Sequence, residues 1–351
     1  MKLSDFGAHP GASPATNATA IQDAFDWVLA EGGELEAEPR MIYQVGERLS
    51  CVNTDQLCAQ YYRKIDLKGA TLDFSQSGIT SGALLSIGAG SMASTSETAS
   101  SFLKNAIVKG PETDSILPRT SSHQSDAQPA TTTEGVYLDT AHNWHLRHVY
   151  VTNVYKGFHY QRTWWNQHHS IRANKCLIGH HVDASVTYAT WTNAQASFCT
   201  FPFLLRPTVI AAAISNNAFL APIAEQCSTF MHLDQNSQSG CEIQGVHVIN
   251  PSMEDIYYDA FRVGIEWYGD PANAGLRGPA LAGKISSLVV DGGTFHGDGV
   301  YPGYGVNRKA FYFGANGNCA SGRLLFPCAT ADIANLPAGV TFQRLKRAEE
   351  L

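Results

Sequence analysis

The chain has 351 residues, of which 44% are hydrophobic and only 16% charged, with a formal net charge of −7. A soluble protein usually carries about 25% charged residues, so this surface must lean on Ser, Thr and Asn, and one elongated β solenoid or two ordinary domains fit the length. The negative balance excludes a nucleic-acid footprint, and no segment is long and apolar enough to span a membrane, since 201–214 is short and contains Arg206.

Near the start, Asn17 is placed to cap a helix over Ala18–Ala30, in which Ile21, Phe25, Val28 and Leu29 recur at helical spacing and form one apolar stripe. A solenoid exposes the end of its core, so a terminal helix of this kind suits a cap. The surrounding order is Asp5-Phe6-Gly7-Ala8, then Asn17-Ala18-Thr19-Ala20-Ile21-Gln22-Asp23-Ala24, Gly32-Gly33, Pro39 and Tyr43-Gln44-Val45. That order resembles the N-terminal cap of pectate-lyase-like right-handed β-helix proteins, a family that includes many phage tailspike depolymerases. Two details depart from the pattern: Glu34-Leu35-Glu36-Ala37-Glu38 replaces an apolar strand, and Arg40-Met41-Ile42 replaces a Pro-Gly turn. The resemblance covers residues 4–45 strongly and the rest by repeat style.

It implies an all-β chain: a single-stranded right-handed parallel β-helix (solenoid) with an N-terminal α-helical cap. The expected divisions are 1–48 for the cap, 49–327 for the β-helix with loop insertions near 91–133 and 268–281, and 328–351 for a C-terminal cap or tail. It also implies a polysaccharide partner, a homotrimer, and a virion-tail or extracellular location, although Met1-Lys2 leads into the cap without a signal peptide. The eight cysteines show no CxxC spacing and are expected to be reduced and structural, although Cys51/Cys58 and Cys319/Cys328 are near enough in sequence to pair.

Weak repeats follow, starting at Gly69, Asn105, His148, Asn174, Ser197, Asn217, Gly245 and Ser287. Central spacings of 20–28 fit one coil of a parallel β-helix. Second and fourth positions, such as Val149/Val151 and Val246/Val248, alternate with the third and read as inward; Lys175 departs from this. Third positions then form an outward column of Tyr150, Cys176, Cys199, Phe219, His247 and Val289. So apolar a column calls for a cover, which supports oligomerisation.

Among candidate catalytic groups, Glu225 and Glu254 fall at similar offsets from their repeat starts, so neighbouring coils bring the two carboxylates together as a hydrolytic pair, with Asp255 as an alternative partner. His181, followed by Asp183, and Arg206 fall at comparable offsets and predict a His181–Arg206–Glu225–Glu254 ladder. A His or Arg base beside a cation would instead suit β-elimination from a uronic acid. Asp291, His296 and Asp298 form a later group that Gly-rich turns explain equally well. Aromatic faces stack on sugar C–H surfaces, which singles out Trp164-Trp165 beside Arg162, Tyr188 with Trp191, Tyr257, and Trp267. His142, His145 and His148 do not converge on a strand, so no zinc is expected. The family's lyases often hold calcium with clustered aspartates; no Asp-x-Asp cluster occurs here, so no cofactor is expected. The reading is a polysaccharide depolymerase, by hydrolysis first and elimination second, with a non-catalytic glycan-binding fibre as the alternative of a different class.

Overall fold

The computed structural model describes residues 1–53, 62–89, 100–111, 131–209, 212–234, 241–256, 260–263, 284–296, 309–313, 319–328 and 333–345. The insertion expected near 268–281 and most of that near 91–133 lie outside them, as do Cys58, Tyr257, Trp267 and Asp298.

The helix runs over Pro14–Glu31, starting earlier than its apolar periodicity predicts. Ser13 is the N-cap: its Oγ accepts the Thr16 N–H at 3.1 Å, and Pro14 fills the first helical position, where no backbone donor is needed. Asn17 is therefore inside the helix, fully buried, and has another task. Its Oδ1 accepts the His9 N–H at 2.9 Å and its Nδ2 donates to the Gln44 carbonyl at 3.2 Å, tying helix, N-terminal segment and first coil together. Ile21, Phe25, Val28 and Leu29 are buried against the solenoid core. Among the described residues no helix is long and apolar enough to cross a membrane.

From Gly33 onward, every strand pairing among the described residues is parallel, each strand bonding to the one a turn ahead. Parallel pairing without crossover helices is the geometry of a coil, and the chain is a right-handed parallel β-helix. Four faces stack along it. Face one contains Trp144–Arg147, Gln167–His169, Thr190–Thr192, then 217–220, 246–249 and Leu288–Asp291. Face two contains 150–152, 172–174, Gln195–Ser197, 223–225 and 252–254. Face three contains 156–161, 178–182, Phe201–Leu205, Met231–Leu233 and Phe261–Val263. Face four contains Val186–Thr187, 213–215, 242–244 and Lys284–Ser286.

Single residues in the left-handed region turn the corners. His148, Ser170, Asn193, Ala221 and Asn250 stack between faces one and two; Asn153, Lys175, Phe198, Gln226 and Asp255 stack between two and three. Such a residue bends an extended chain within one step, and Asn tolerates it better than most. These corners explain the uneven repeats. Those starting at Gly69, Asn105 and His148 lead into face two, whereas those at Asn217, Gly245 and Ser287 lead into face one.

The outward apolar column is corrected accordingly. Asn217 pairs with Val246 and not with Gly245, and a slip of one residue reverses a strand's faces. Phe219 therefore points inward and stacks on Trp191, with ring centroids 4.6 Å apart and planes at 7°. Cys176 and Cys199 are also interior, buried thiols stacked on successive coils with Cys227, while Lys175 is a corner residue. Cys319 is likewise a thiol and not a partner of Cys328. Only Tyr150, His247 and Val289 keep the expected outward direction. The surface argument for oligomerisation goes with that column.

Coil repetition sets the core. The rings of Phe158, His180 and Phe203 lie nearly parallel at 4.9 and 5.0 Å, close to the ~4.8 Å between parallel strands. A smaller apolar cluster of Leu177, Ile178, Phe201 and Leu204, with Tyr155 against it, is separate from this core. Gly135, Gly157 and Gly179 line up where adjacent coils approach closely. A Cβ on Gly157 would sit 2.6 Å from the Gly179 carbonyl oxygen and 2.8 Å from the Ala173 Cβ. Gly157→Ala should therefore cost about 1–3 kcal/mol through overpacking. Urea unfolding of the variant checks this; an unchanged midpoint would show that the coils part there freely.

Candidate functional site

Glu225 and Glu254 are register partners on neighbouring strands of face two, as their offsets predict. They continue an outward column in which Thr152 pairs with Asn174, Asn174 with Ser197, and Ser197 with Glu225. Glu225 is half-buried and Glu254 exposed. The pair has a built approach on one side. The Ser197 hydroxyl donates to Glu225 Oε2 at 3.4 Å, and its own oxygen accepts from Arg172 at 3.3 Å and Gln195 Nε2 at 3.4 Å. A hydroxyl that accepts two donors has its proton directed to the third partner, so it orients one Glu225 oxygen. Arg172 also lies over the Tyr150 ring at 5.8 Å, and the Tyr150 hydroxyl accepts from Asn174 Nδ2 at 2.8 Å. None of these five was a candidate site residue in the sequence: Tyr150, Asn174 and Ser197 figured only as repeat positions, and Arg172 and Gln195 not at all. Counting from the left-handed corner residue of each coil would have found them. Asp255 takes the corner position just beyond the pair, with φ 52°.

His181, Asp183 and Arg206 lie together, but on face three. The predicted ladder joining them to Glu225 and Glu254 does not form, because Ser197, the repeat start used to place Arg206, ends a face-two strand. Arg206 pairs with Asp234 at 3.3 Å. The residue that organises this cluster is His159, one coil before His181 and paired with it in register. Its Nδ1 meets Glu134 Oε2 at 3.0 Å, its Nε2 meets Asp183 Oδ2 at 3.1 Å, and its ring stacks on His181 at 4.7 Å. Burial works against charge on His159, yet the bonds to Asp183 and Glu134 outweigh it and hold its pKa above the usual value. Burial alone would raise Glu134, but His159 and Lys156 bring it down to about 2. Asp183 is likewise held low against its burial, by His159, His181 and Thr208.

The predicted aromatic platform is partly present. Trp165 and Tyr188 are 57% and 55% exposed and occupy successive left-handed positions at the corner between faces four and one. Trp164 packs edge-on against His142 at 4.2 Å. Trp191 is corrected: it is fully buried in the core between His168 and Phe219 and offers nothing to a ligand. Arg162 forms a two-pronged pair with Asp139 at a different corner, with Nε to Oδ1 at 2.6 Å. Asp291 lies 3.5 Å from Arg323. The three groups of candidates thus occupy face two, face three and the corner between faces four and one.

No protein-family model matches the chain, and no curated protein matches it. Solved structures do. Endo-xylogalacturonan hydrolase from Aspergillus tubingensis superposes with a TM-score of 0.57 at 13% identity, covering 97% of this chain and 98% of that one. ORF18 of Geobacillus virus E2 gives 0.50 at 11% identity, covering 85% of this chain and 58% of that one. These likenesses show the fold.

Proposed function

We propose that this chain, a right-handed β-helix of the pectate-lyase-like fold, cleaves a polysaccharide by glycoside hydrolysis on face two. The observation that supports this most is the register pairing of Glu225 with Glu254, beside the connected row of Tyr150, Arg172, Asn174, Gln195 and Ser197. Register partners lie about 4.8 Å apart, near the ~5 Å at which two carboxyls act as nucleophile and acid/base. Glu225, oriented by Ser197, would attack the anomeric carbon. Glu254, exposed to the substrate, would protonate the departing glycosidic oxygen. Its carboxylate would then take a proton from water, which releases the sugar from Glu225 with retained configuration. The solved hydrolase with this fold acts, by its name, on xylogalacturonan, and a glycan met outside a cell, by a secreted or virion-borne protein, is the substrate class proposed here.

The test is a panel of bacterial capsular, O-antigen and plant polysaccharides, read for new reducing ends and ultraviolet absorbance together. Reducing ends without absorbance are expected. Absorbance would mean an unsaturated product and elimination, and intact polymer throughout would favour a binding role. Trp165 and Tyr188 would hold a distant stretch of the polymer. Trp165→Ala and Tyr188→Ala should each weaken retention about 2- to 13-fold, as loss of about 0.5–1.5 kcal/mol of aromatic contact implies, with turnover on short fragments unchanged. Unaltered retention in affinity electrophoresis would remove the corner from the binding surface.

A further inference from the structure

The chemistry of face three is unused by a reaction on face two. We infer that His159, His181 and Asp183 form a binding site for one first-row divalent transition-metal ion. One ligand atom from each lies within 4.8 Å of the others, and all three residues are buried. Donor direction is the main argument. The Nδ1–H of His159 donates to Glu134 at 3.0 Å, and the Nε2–H of His181 donates to the Arg206 carbonyl at 3.3 Å. Each ring thus has one nitrogen committed to an outer acceptor, as in carboxylate–histidine–metal arrangements, which leaves the other nitrogen with a lone pair. For His159 that nitrogen faces Asp183 Oδ2 at 3.1 Å. For His181 it is Nδ1, which has no partner among the described residues although the side chain is only 3% exposed.

Two lone-pair atoms 3.1 Å apart need a cation between them. A proton serves, and so does a metal: ligand atoms about 2.0–2.1 Å from a tetrahedral ion are themselves about 3.3–3.4 Å apart, near the observed 3.1 Å. Asp183 is already fixed for the task. The Ala184 and Thr208 N–H groups donate to its Oδ1, each at 2.6 Å, and the Thr208 hydroxyl donates to Oδ2 at 2.6 Å. Two imidazoles and one carboxylate suit Zn²⁺, Co²⁺ or Ni²⁺ better than Ca²⁺. Because His159 and His181 are on consecutive coils and Asp183 leads out of face three, the ion would clamp two coils and the following corner.

The experiment titrates Co²⁺ into chelator-treated full-length protein and reads the visible ligand-field bands, with Zn²⁺ as competitor and thermal unfolding as a second readout. One equivalent of Co²⁺ should produce intense four-coordinate bands that Zn²⁺ removes, and Zn²⁺ should raise the Tm. His181→Gln keeps an N–H for the Arg206 carbonyl and should weaken Co²⁺ binding by at least about tenfold. His232→Gln, a buried histidine on the same face outside the set, should leave binding unchanged. Absence of both the bands and the Tm rise in the unmodified protein overturns the site whatever the variants do. Bands unaltered in His181→Gln overturn the ligand assignment.

Discussion

Glu225→Gln and Glu254→Gln should each lower turnover on the cleaved polymer by about 10²–10⁴-fold, the usual contribution of a positioned acid, base or nucleophile. KM should change little, because Tyr150, Arg172, Asn174 and Gln195, which would hold the sugar, are intact in both. The two variants should differ in kind. A glutamine at 254 cannot donate the proton, so aryl glycosides with good leaving groups should recover much of the loss. A glutamine at 225 removes the nucleophile, and no leaving group compensates. The double variant should be no worse than Glu225→Gln, as residues acting as a unit are not additive. Folding should be unharmed or slightly improved, since stacked like charges oppose a strand pair. Full activity in both single variants would defeat the assignment. Product NMR showing inverted configuration would keep the residues but reject Glu225 as nucleophile.

A second large effect should appear in acid. His180 and His232 are buried, and desolvation pushes both down to about 4; His168 is driven well below its ordinary value by burial, with His145 and His180 adding to it. His180 shows why. It is sandwiched between Phe158 and Phe203, its Nε2 donates to the Gln195 carbonyl at 3.1 Å, and its Nδ1 faces the Tyr160 hydroxyl at 3.4 Å, which suits a neutral ring. In the unfolded chain these histidines take up protons near pH 6.5. Between that pH and about 4 the unfolded state binds more protons, so stability falls as pH falls. At 1.36 kcal/mol per unit, His180 and His232 each remove roughly 3 kcal/mol across the window. Urea unfolding at pH 7 and pH 5, with chelator present, should show the loss. His180→Phe should flatten the profile even if it lowers the plateau. Equal stability at both pH values would mean that these rings are hydrated or paired when protonated.

The cap was legible in the sequence because its signals are local: an apolar stripe at helical spacing, a Gly-Gly turn and a Tyr-x-Val strand each read without knowledge of the rest. Solenoid coiling was legible because inward residues alternate. What failed was phase. Asn217 and Gly245 look like equivalent starts, yet the left-handed residue before the strand is Asn216 in one coil and Gly245 in the next. One residue of error moved Phe219 from core to surface. The carboxylate pair survived because both glutamates lie nine residues after those corners, at Asn216 and Gly245. His159 was overlooked because its partners Glu134 and Asp183 are 25 and 24 residues away, and no local motif marks such a contact.

Among the described residues the main contacts run between neighbouring coils, and the corners repeat the same single-residue bend. Free energy in such an object couples like beads on a string, so damage should fade with distance along the axis. Hydrogen exchange in Gly157→Ala should therefore accelerate in the coils around residues 135–180 while Ile223–Cys227 and Leu288–Asp291 keep their protection. The same property makes the molecule extensible: a coil inserted whole, corner to corner, would find on each side the ladder it needs and leave the chemistry of its neighbours in place.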